Sequence, residues 1–282
     1  NPDRPSDLYM EVFVQGKLRD VLPNLTKKQL KNKAIMPAYY GSKRGPEGVF
    51  GEYLDTFNHA METLTPHSWS VAQILADSVE RLKEPRYQWV LPDNFFAHKD
   101  LTTYQHRNTS YKGSTIQVQN EVLGFNEKRS HRGMGANSIH SLDAFIAREM
   151  LRRCAIRRSE PNPELVERLV ELFKKTGFMS VRIAQHITKD SYAAQTPEIQ
   201  AVIADIIKTM PKERFDIVPV HDCFRALPNH GNTLRSQYNI CLAQLSQSRL
   251  LSHIFEEIHN KPFEKPGFIP LNEILGCSFS LC

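Results

Sequence analysis

Cysteine is sparse in this chain and follows no framework: five residues lie scattered through 282, none paired at the spacing of a zinc site or a disulfide scaffold. Cys154, Cys223, Cys241, Cys277 and Cys282 therefore read as free thiols of a reducing compartment. There is no long apolar run, which excludes a transmembrane-helix reading, and residues 1–7 are polar and proline-rich, unlike a secretory signal. Internal repeats, low-complexity tracts and a clean linker are also missing, so composition marks no point at which to cut the chain. The first residue is Asn rather than Met, so the chain is expected to be a processed product or the tail of something longer. What remains is ordinary globular material, 40% hydrophobic and 24% charged, enough for one large domain or two small ones. A net charge of +5 permits a polyanionic partner without demanding one.

Periodicity divides the chain coarsely. An apolar segment from Leu8 to about Val21 predicts a helix weakened at Gly16. After Pro23-Asn24, Thr26 is placed to cap a basic helix, Lys27-Lys28-Gln29-Leu30-Lys31-Asn32-Lys33, in which Pro37 should introduce a kink. Its lysines crowd a helix N-terminus, where the macrodipole disfavours cations; they form either a solvated face or the seat of a bound anion. Helices are expected over 46–64 and 68–84, and strands at Tyr87–Val90 and Thr115–Val118. Between those strands His98, Lys99, Tyr104, His106, Arg107 and Lys112 make a basic stretch interleaved with aromatics, suited either to a nucleic-acid backbone or to an exposed loop. Lys128, Arg129, His131 and Arg132 form a second basic loop. Further helices are expected from Ser141, from Leu165 to Gly177, over Ile199–Met210 and from Asn232 to His259, before a loop-like end.

Three stretches carry the chemistry. Phe215 to Val220 reads as a buried strand delivering Asp222 to a tight turn in Val220-His221-Asp222-Cys223-Phe224. A single Asp there either caps the turn or serves as a hard oxygen ligand for a divalent metal. Ile139-His140-Ser141-Leu142-Asp143 opens a helix, and His140 is either a cap or core histidine or a nucleic-acid contact. Lys27 and Lys31 lie one helical turn apart, sharing a face, and Tyr40-Gly41-Ser42-Lys43 follows.

Taken together in this order, the three resemble motifs of the single-subunit RNA polymerases, the phage and mitochondrial type. Lys27 to Tyr40-Gly41 is similar to that family's fingers helix, basic-x3-Lys-x7-Tyr-Gly. His140-Ser141-x-Asp143 and His221-Asp222 resemble its two later palm segments, and Trp89, Leu91-Pro92 and the strands near Ile116 also fit the palm. The resemblance implies an α+β polymerase right hand, mostly helical fingers on a small antiparallel palm sheet. It divides the chain into 1–86, fingers with the nucleotide-binding helix, and 87–282, palm with inserted helices at about 163–210. It implies DNA-directed RNA synthesis by two-metal nucleotidyl transfer with Mg²⁺. Asp222 would hold metal, Lys27, Lys28 and Lys31 the triphosphate, and Tyr40 would sort ribo- from deoxyribonucleotides. His140 and His221, with Arg129 and Arg132 of the basic loop, would contact nucleic acid. The implied partners are a DNA template, an RNA product and nucleoside triphosphates, in the cytoplasm of an infected host cell or the mitochondrial matrix.

Three departures qualify the match. Between Lys31 and Tyr40 there is one residue more than the family has. Either Tyr39 is the gate, or Asn32 takes the lysine's place with Lys28 before it, or the Pro37 kink absorbs the extra residue. The helices of 163–210 look like an insertion with its own role. The family's first motif, carrying the other metal carboxylate, is not found. The second carboxylate is therefore expected from another polypeptide or a missing upstream portion, as in the two-subunit form of this polymerase in some podoviruses. Two other readings are a family A DNA polymerase fragment, which normally has Glu where Cys223 stands, and a nonenzymatic nucleic-acid-binding subunit.

Overall fold

A computed structural model of the chain describes residues 7–79, 84–124, 133–155, 158–220, 223–264, 267 and 269–277. It is a mixed α+β structure, about 60% helical, with small antiparallel sheets. The chain divides into two compact units, one made of residues 6–88 and 98–139, the other mainly of 89–97 and 140–282.

The first unit begins with α1 (Leu8–Gln15), capped by the Asp7 side chain, which accepts from the Met10 amide. Lys17 adopts φ +57° and ends it, so the single helix expected to Val21 is two, with α2 at Leu18–Val21. Gly16 stands at this break because a Cβ there would lie 2.6 Å from that of Ala60. Next come α3 (Lys27–Gln29), a π-helix (Leu30–Ile35) and α4 (Met36–Tyr39). The run expected as one helix over 46–64 is α5 (Arg44–Phe50), a 3₁₀ turn and α6 (Leu54–Leu64); α7 (Pro66–Val79) follows. Phe13, Leu30, Ala34, Ile35, Phe57, Met61 and Trp69 form their shared core. The apolar face of the basic helix is thus fully buried while its lysines stay outside.

The strands at Tyr87 and Ile116 are present, within β1 (Arg86–Val90) and β4 (Ser114–Leu123). The basic stretch between them is a correction: it is not a loop but β2 (Phe96–Asp100) and β3 (Thr102–Tyr111). β1 pairs with β2, and β3 with β4 in a long antiparallel ribbon from Thr102↔Leu123 to Tyr111↔Ser114. Lys112 and Gly113, at φ +50° and +80°, make its two-residue turn, the left-handed pair that matches strand twist.

Helix α8 (Gly133–Ala155) starts well before the expected Ser141. In the second unit α9 (Pro163–Thr176) is capped by Asn162 and stopped by Gly177 at φ +71°. Short α10 (Ile183–His186) and α11 (Lys189–Ala193) lead to α12 (Pro197–Thr209). Val166, Leu169, Val181, Ile183, Ile203 and Ile206 pack into a core formed by residues of 163–210. The strand expected from Phe215 is shorter and less buried: β5 covers Val218–Val220, with Val218 59% and Val220 42% exposed. It pairs antiparallel with β6 (Cys223–Arg225), Pro219 opposite Phe224, so proline sits in an edge strand. The long helix expected to His259 is broken at Ser248 into α13 (Gly231–Gln247) and α14 (Leu250–His259), and the loop-like end contains α15 (Leu271–Leu275).

Candidate functional site

The basic helix is built from reciprocal capping. Gln29 N–H bonds the Thr26 hydroxyl oxygen at 3.3 Å, and the Gln29 side-chain oxygen accepts from the Thr26 amide at 3.0 Å. Beyond it the ladder changes pitch: the Met36 amide bonds the Lys31 carbonyl, five residues back, as the π-helix requires. Pro37, which has no amide to give to Lys33, follows immediately. Where a kink is expected before Pro37, the backbone takes a π-helical form on its N-terminal side, after which α4 continues. A π turn takes up one residue more than an α turn, and it lies between Lys31 and Tyr40.

The helix then stops in a Schellman arrangement. Ser42 N–H bonds Pro37 O at 2.8 Å and Gly41 N–H bonds Ala38 O at 2.9 Å, with Gly41 at φ +78°. Only glycine takes that conformation cheaply, so the Tyr-Gly-Ser string has a purely conformational reason to contain Gly41. Tyr40 is the C-cap and is 42% exposed. Its neighbour Tyr39 is turned inward: its hydroxyl donates to Thr65 Oγ1 at 3.1 Å, lies 3.1 Å from Ser68 Oγ, and its ring meets Trp69 edge-on.

Lys27 and Lys31 do share a face, and α1 meets it. Lys27 pairs with Asp7, whose carboxyl it holds below the ordinary range, and the Lys31 ammonium stands 5.0 Å from the Tyr9 ring centre. Lys28 is exposed. The cleft at the helix end, about 280 Å³, is lined by Gly41, Ser42, Lys43 and Trp69 but also by Glu47 and Glu62, a mixed charge that does not favour a triphosphate.

His221 and Asp222 are the two residues between β5 and β6 and lie outside the described residues, as do Arg129, His131 and Arg132. The flanking Val220 and Cys223 offer no hard oxygen side chain, so a magnesium ion at this turn needs Asp222 together with carboxylates from elsewhere. Among the described residues no group of three His, Cys, Asp or Glu side chains is arranged to hold a metal.

The β3–β4 ribbon exposes both faces. One carries Tyr104, His106 and Asn108 opposite Glu121, Gln119 and Gln117; the other carries Arg107 and Tyr111 with Ile116 and Val118. The first is a row of hydrogen-bonding groups, the second a cation among apolar side chains.

His140 is exposed inside α8, neither its cap nor part of the core, and the adjacent Ser141 Oγ accepts from Trp89 Nε1 at 2.9 Å. The same helix holds a buried ionic network that sequence reasoning missed. Asp93, fully buried, accepts from Arg148 at 2.6 Å and Arg152 at 2.8 Å. Burial pushes its carboxyl up, but the two guanidinium bonds outweigh that and hold it below its ordinary value. Glu149 accepts from Ser180 Oγ at 2.5 Å and the Val181 amide at 2.9 Å, and burial raises its carboxyl. Arg148 and Arg152, one turn apart on α8, were the available signal, without anything to mark Asp93 as their partner.

Compared with known proteins, the chain matches no family model and no curated sequence.

Proposed function

We propose that this chain is the fingers-and-palm part of a single-subunit-type DNA-directed RNA polymerase, active with a second polypeptide that supplies the missing metal carboxylate. The observation that carries the reading is the π-helix at Leu30–Ile35. The resemblance to the fingers helix had one residue too many between Lys31 and Tyr40, and a π-helix is the backbone form that absorbs it. With it, Lys27, Lys31 and an exposed Tyr40 follow one another on a single helical element, as the proposed chemistry needs. Asp7 and Tyr9 hold the two lysines only weakly: an exposed ion pair contributes about 0–1 kcal/mol and an exposed cation–π contact about 0.5–1 kcal/mol. A triphosphate, bearing several charges and charge-assisted acceptors, outcompetes both.

In this reading β5–β6 is the palm hairpin, with Asp222 at its turn, and the fold is the polymerase right hand. Mg²⁺ bound there, with the partner's carboxylate, would activate an RNA 3′-hydroxyl and hold the leaving pyrophosphate. The chain's own residues bind and orient: Lys28 with Lys27 and Lys31 for the triphosphate, Tyr40 for the sugar, His140 and His221 for the product duplex, Arg129 and Arg132 for backbone phosphates. The β3–β4 ribbon has the width of a two-stranded major-groove reader and a face of amides to read base edges.

Tagged chain purified from its native source with whatever copurifies should extend an RNA primer on DNA with Mg²⁺. The Asp222→Asn chain, purified the same way, should retain template binding and lose extension. Extension by the 282-residue chain alone, or undiminished extension by Asp222→Asn, refutes the proposal.

A further inference from the structure

Away from these elements, the inserted region carries a second feature. A cleft of about 570 Å³ opens between the segment after α8, the α10–α11 connection and the end of α12. Its cations are Arg153, Arg158, Lys189, Lys212 and Arg214, with His186 beside them, and no carboxylate residue lines it among the described residues. Arg153 is 1% exposed and its hydrogen-bond acceptors are neutral, Thr209 Oγ1 and Gln237 Oε1 at 3.3 Å and Gln244 Oε1 at 2.8 Å, while the buried Glu149 carboxyl on the same helix interacts with it electrostatically. Its Nε–H has no acceptor among the described residues. A buried guanidinium with an unsatisfied donor is costly until an acceptor completes it. His186 gives its Nδ1–H to the Glu160 carbonyl at 2.9 Å, which turns Nε2 to other use. Ile187, Ile207 and Met210 supply an apolar wall beside the cations.

We propose that this cleft binds phosphate groups carried by nucleotide units, the cationic rim taking the phosphate and the apolar wall the sugar or base. An acidic peptide would satisfy the charge but leave that wall unused. The proposal deepens the polymerase reading by giving the insertion a strand-holding role, but the cleft's chemistry stands without it.

Arg153 ties α8 to α12 and α13, so the test varies the exposed rim. The full chain carrying Lys189→Gln, Lys212→Gln and Arg214→Gln, with an unchanged melting curve, is titrated with a labelled single-stranded oligonucleotide and with a labelled nucleoside triphosphate. Affinity for the oligonucleotide should fall at least tenfold, and its salt slope should drop by about 2, as for three lost contacts on a single strand. A fall for the triphosphate alone supports the cleft with free nucleotide as its ligand. The Lys174→Gln, Lys175→Gln control on α9 should change neither by more than about twofold, on the expectation that exposed charges outside a site contribute little. Unchanged binding of both ligands overturns the proposal, as does equally effective competition by polyglutamate. Absence of extension by any complex defeats the polymerase reading and leaves this binding result untouched.

Discussion

Lys33 and Gly45 meet backbone to backbone: a Cβ built on Gly45 would stand 2.8 Å from the Lys33 carbonyl oxygen and 2.7 Å from the Pro37 Cβ. Lys33 in the π-helix, Pro37 in α4 and Gly45 in α5 are fitted to one another without room for a methyl group. Gly45→Ala tests this contact, because two effects oppose. In a helix interior alanine is favoured over glycine by about 1 kcal/mol. Overpacking against a carbonyl and a proline ring, neither of which can rotate away, costs about 1–3 kcal/mol. The urea midpoint should therefore fall, with unchanged slope. A rise would mean that α5 can move off the π-helix freely.

Asp93 provides a test with a pH signature. Removing its charge leaves Arg148 and Arg152 without their shared carboxylate in a largely buried site, so Asp93→Asn should cost about 3 kcal/mol at neutral pH. The folded-state carboxyl lies below its ordinary value of 3.8, so its contribution is complete above that value and disappears as pH falls through the depressed one. The difference between wild type and variant in denaturant titrations should accordingly shrink below pH 3.8. Glu149 runs the other way. Its carboxyl is raised above 4.5, so the stability linked to it is present at low pH and lost as pH rises through the raised value. A difference constant with pH would mean that Asp93 acts by packing alone.

Local structure was legible in the sequence wherever the signal was local. Thr26 with Gln29, Asn162 with Pro163, and Gly177 announce helix ends through their own side chains or their lack of one, and the structure has those ends there. The π-helix was not legible, because Leu30, Ala34 and Ile35 fit an α or a π repeat equally well. In the β3–β4 ribbon the alternation of apolar with polar residues marks Thr115–Val118 of β4, but β3, which buries neither face, carries no such signal. Asp93 and Arg153 were missed for a different reason. Their surroundings come from segments far apart in sequence, Asp93 with Arg148 and Arg182, Arg153 with Thr209, Gln237 and Gln244. No pattern within one segment reveals such a partner.

The ribbon supports a prediction that separates its two faces. Arg107→Gln, on the face with Ile116 and Val118, removes a phosphate contact if the ribbon lies on nucleic acid. Binding should weaken alike on all sequences and the salt slope should fall by about 1. Gln117→Ala and Gln119→Ala, on the opposite face, should leave that slope alone and narrow the difference between preferred and random templates. Slopes and preferences unchanged in every variant would return the ribbon to a role other than nucleic-acid contact.

Tyr39 and Tyr40 are adjacent but occupy different environments, and under the proposed polymerase function that difference separates their expected roles. Tyr39 spends its hydroxyl on Thr65 and Ser68 and its ring on Trp69, half-buried against the first unit's core. Tyr39→Phe should cost about 1 kcal/mol of stability, the net worth of a hydrogen bond, and leave nucleotide choice unchanged. Tyr40, the C-cap residue before the Gly41 turn, is 42% exposed. A site with a polar group awaiting the ribose hydroxyl discriminates against substrates lacking it, since the group is then left unpaired. Tyr40→Phe in the active complex should therefore bring deoxyribonucleotide incorporation closer to that of ribonucleotides, with little change in stability. Steady-state incorporation of both nucleotide types by each variant, alongside their urea midpoints, gives opposite signatures for the two residues. Relaxed sugar choice in Tyr39→Phe alone would shift the gate inward by one residue and remove the π-helix as the home of the extra one. Unaltered choice in both would detach this helix from the nucleotide, and with it the chief support for ribonucleotide polymerisation.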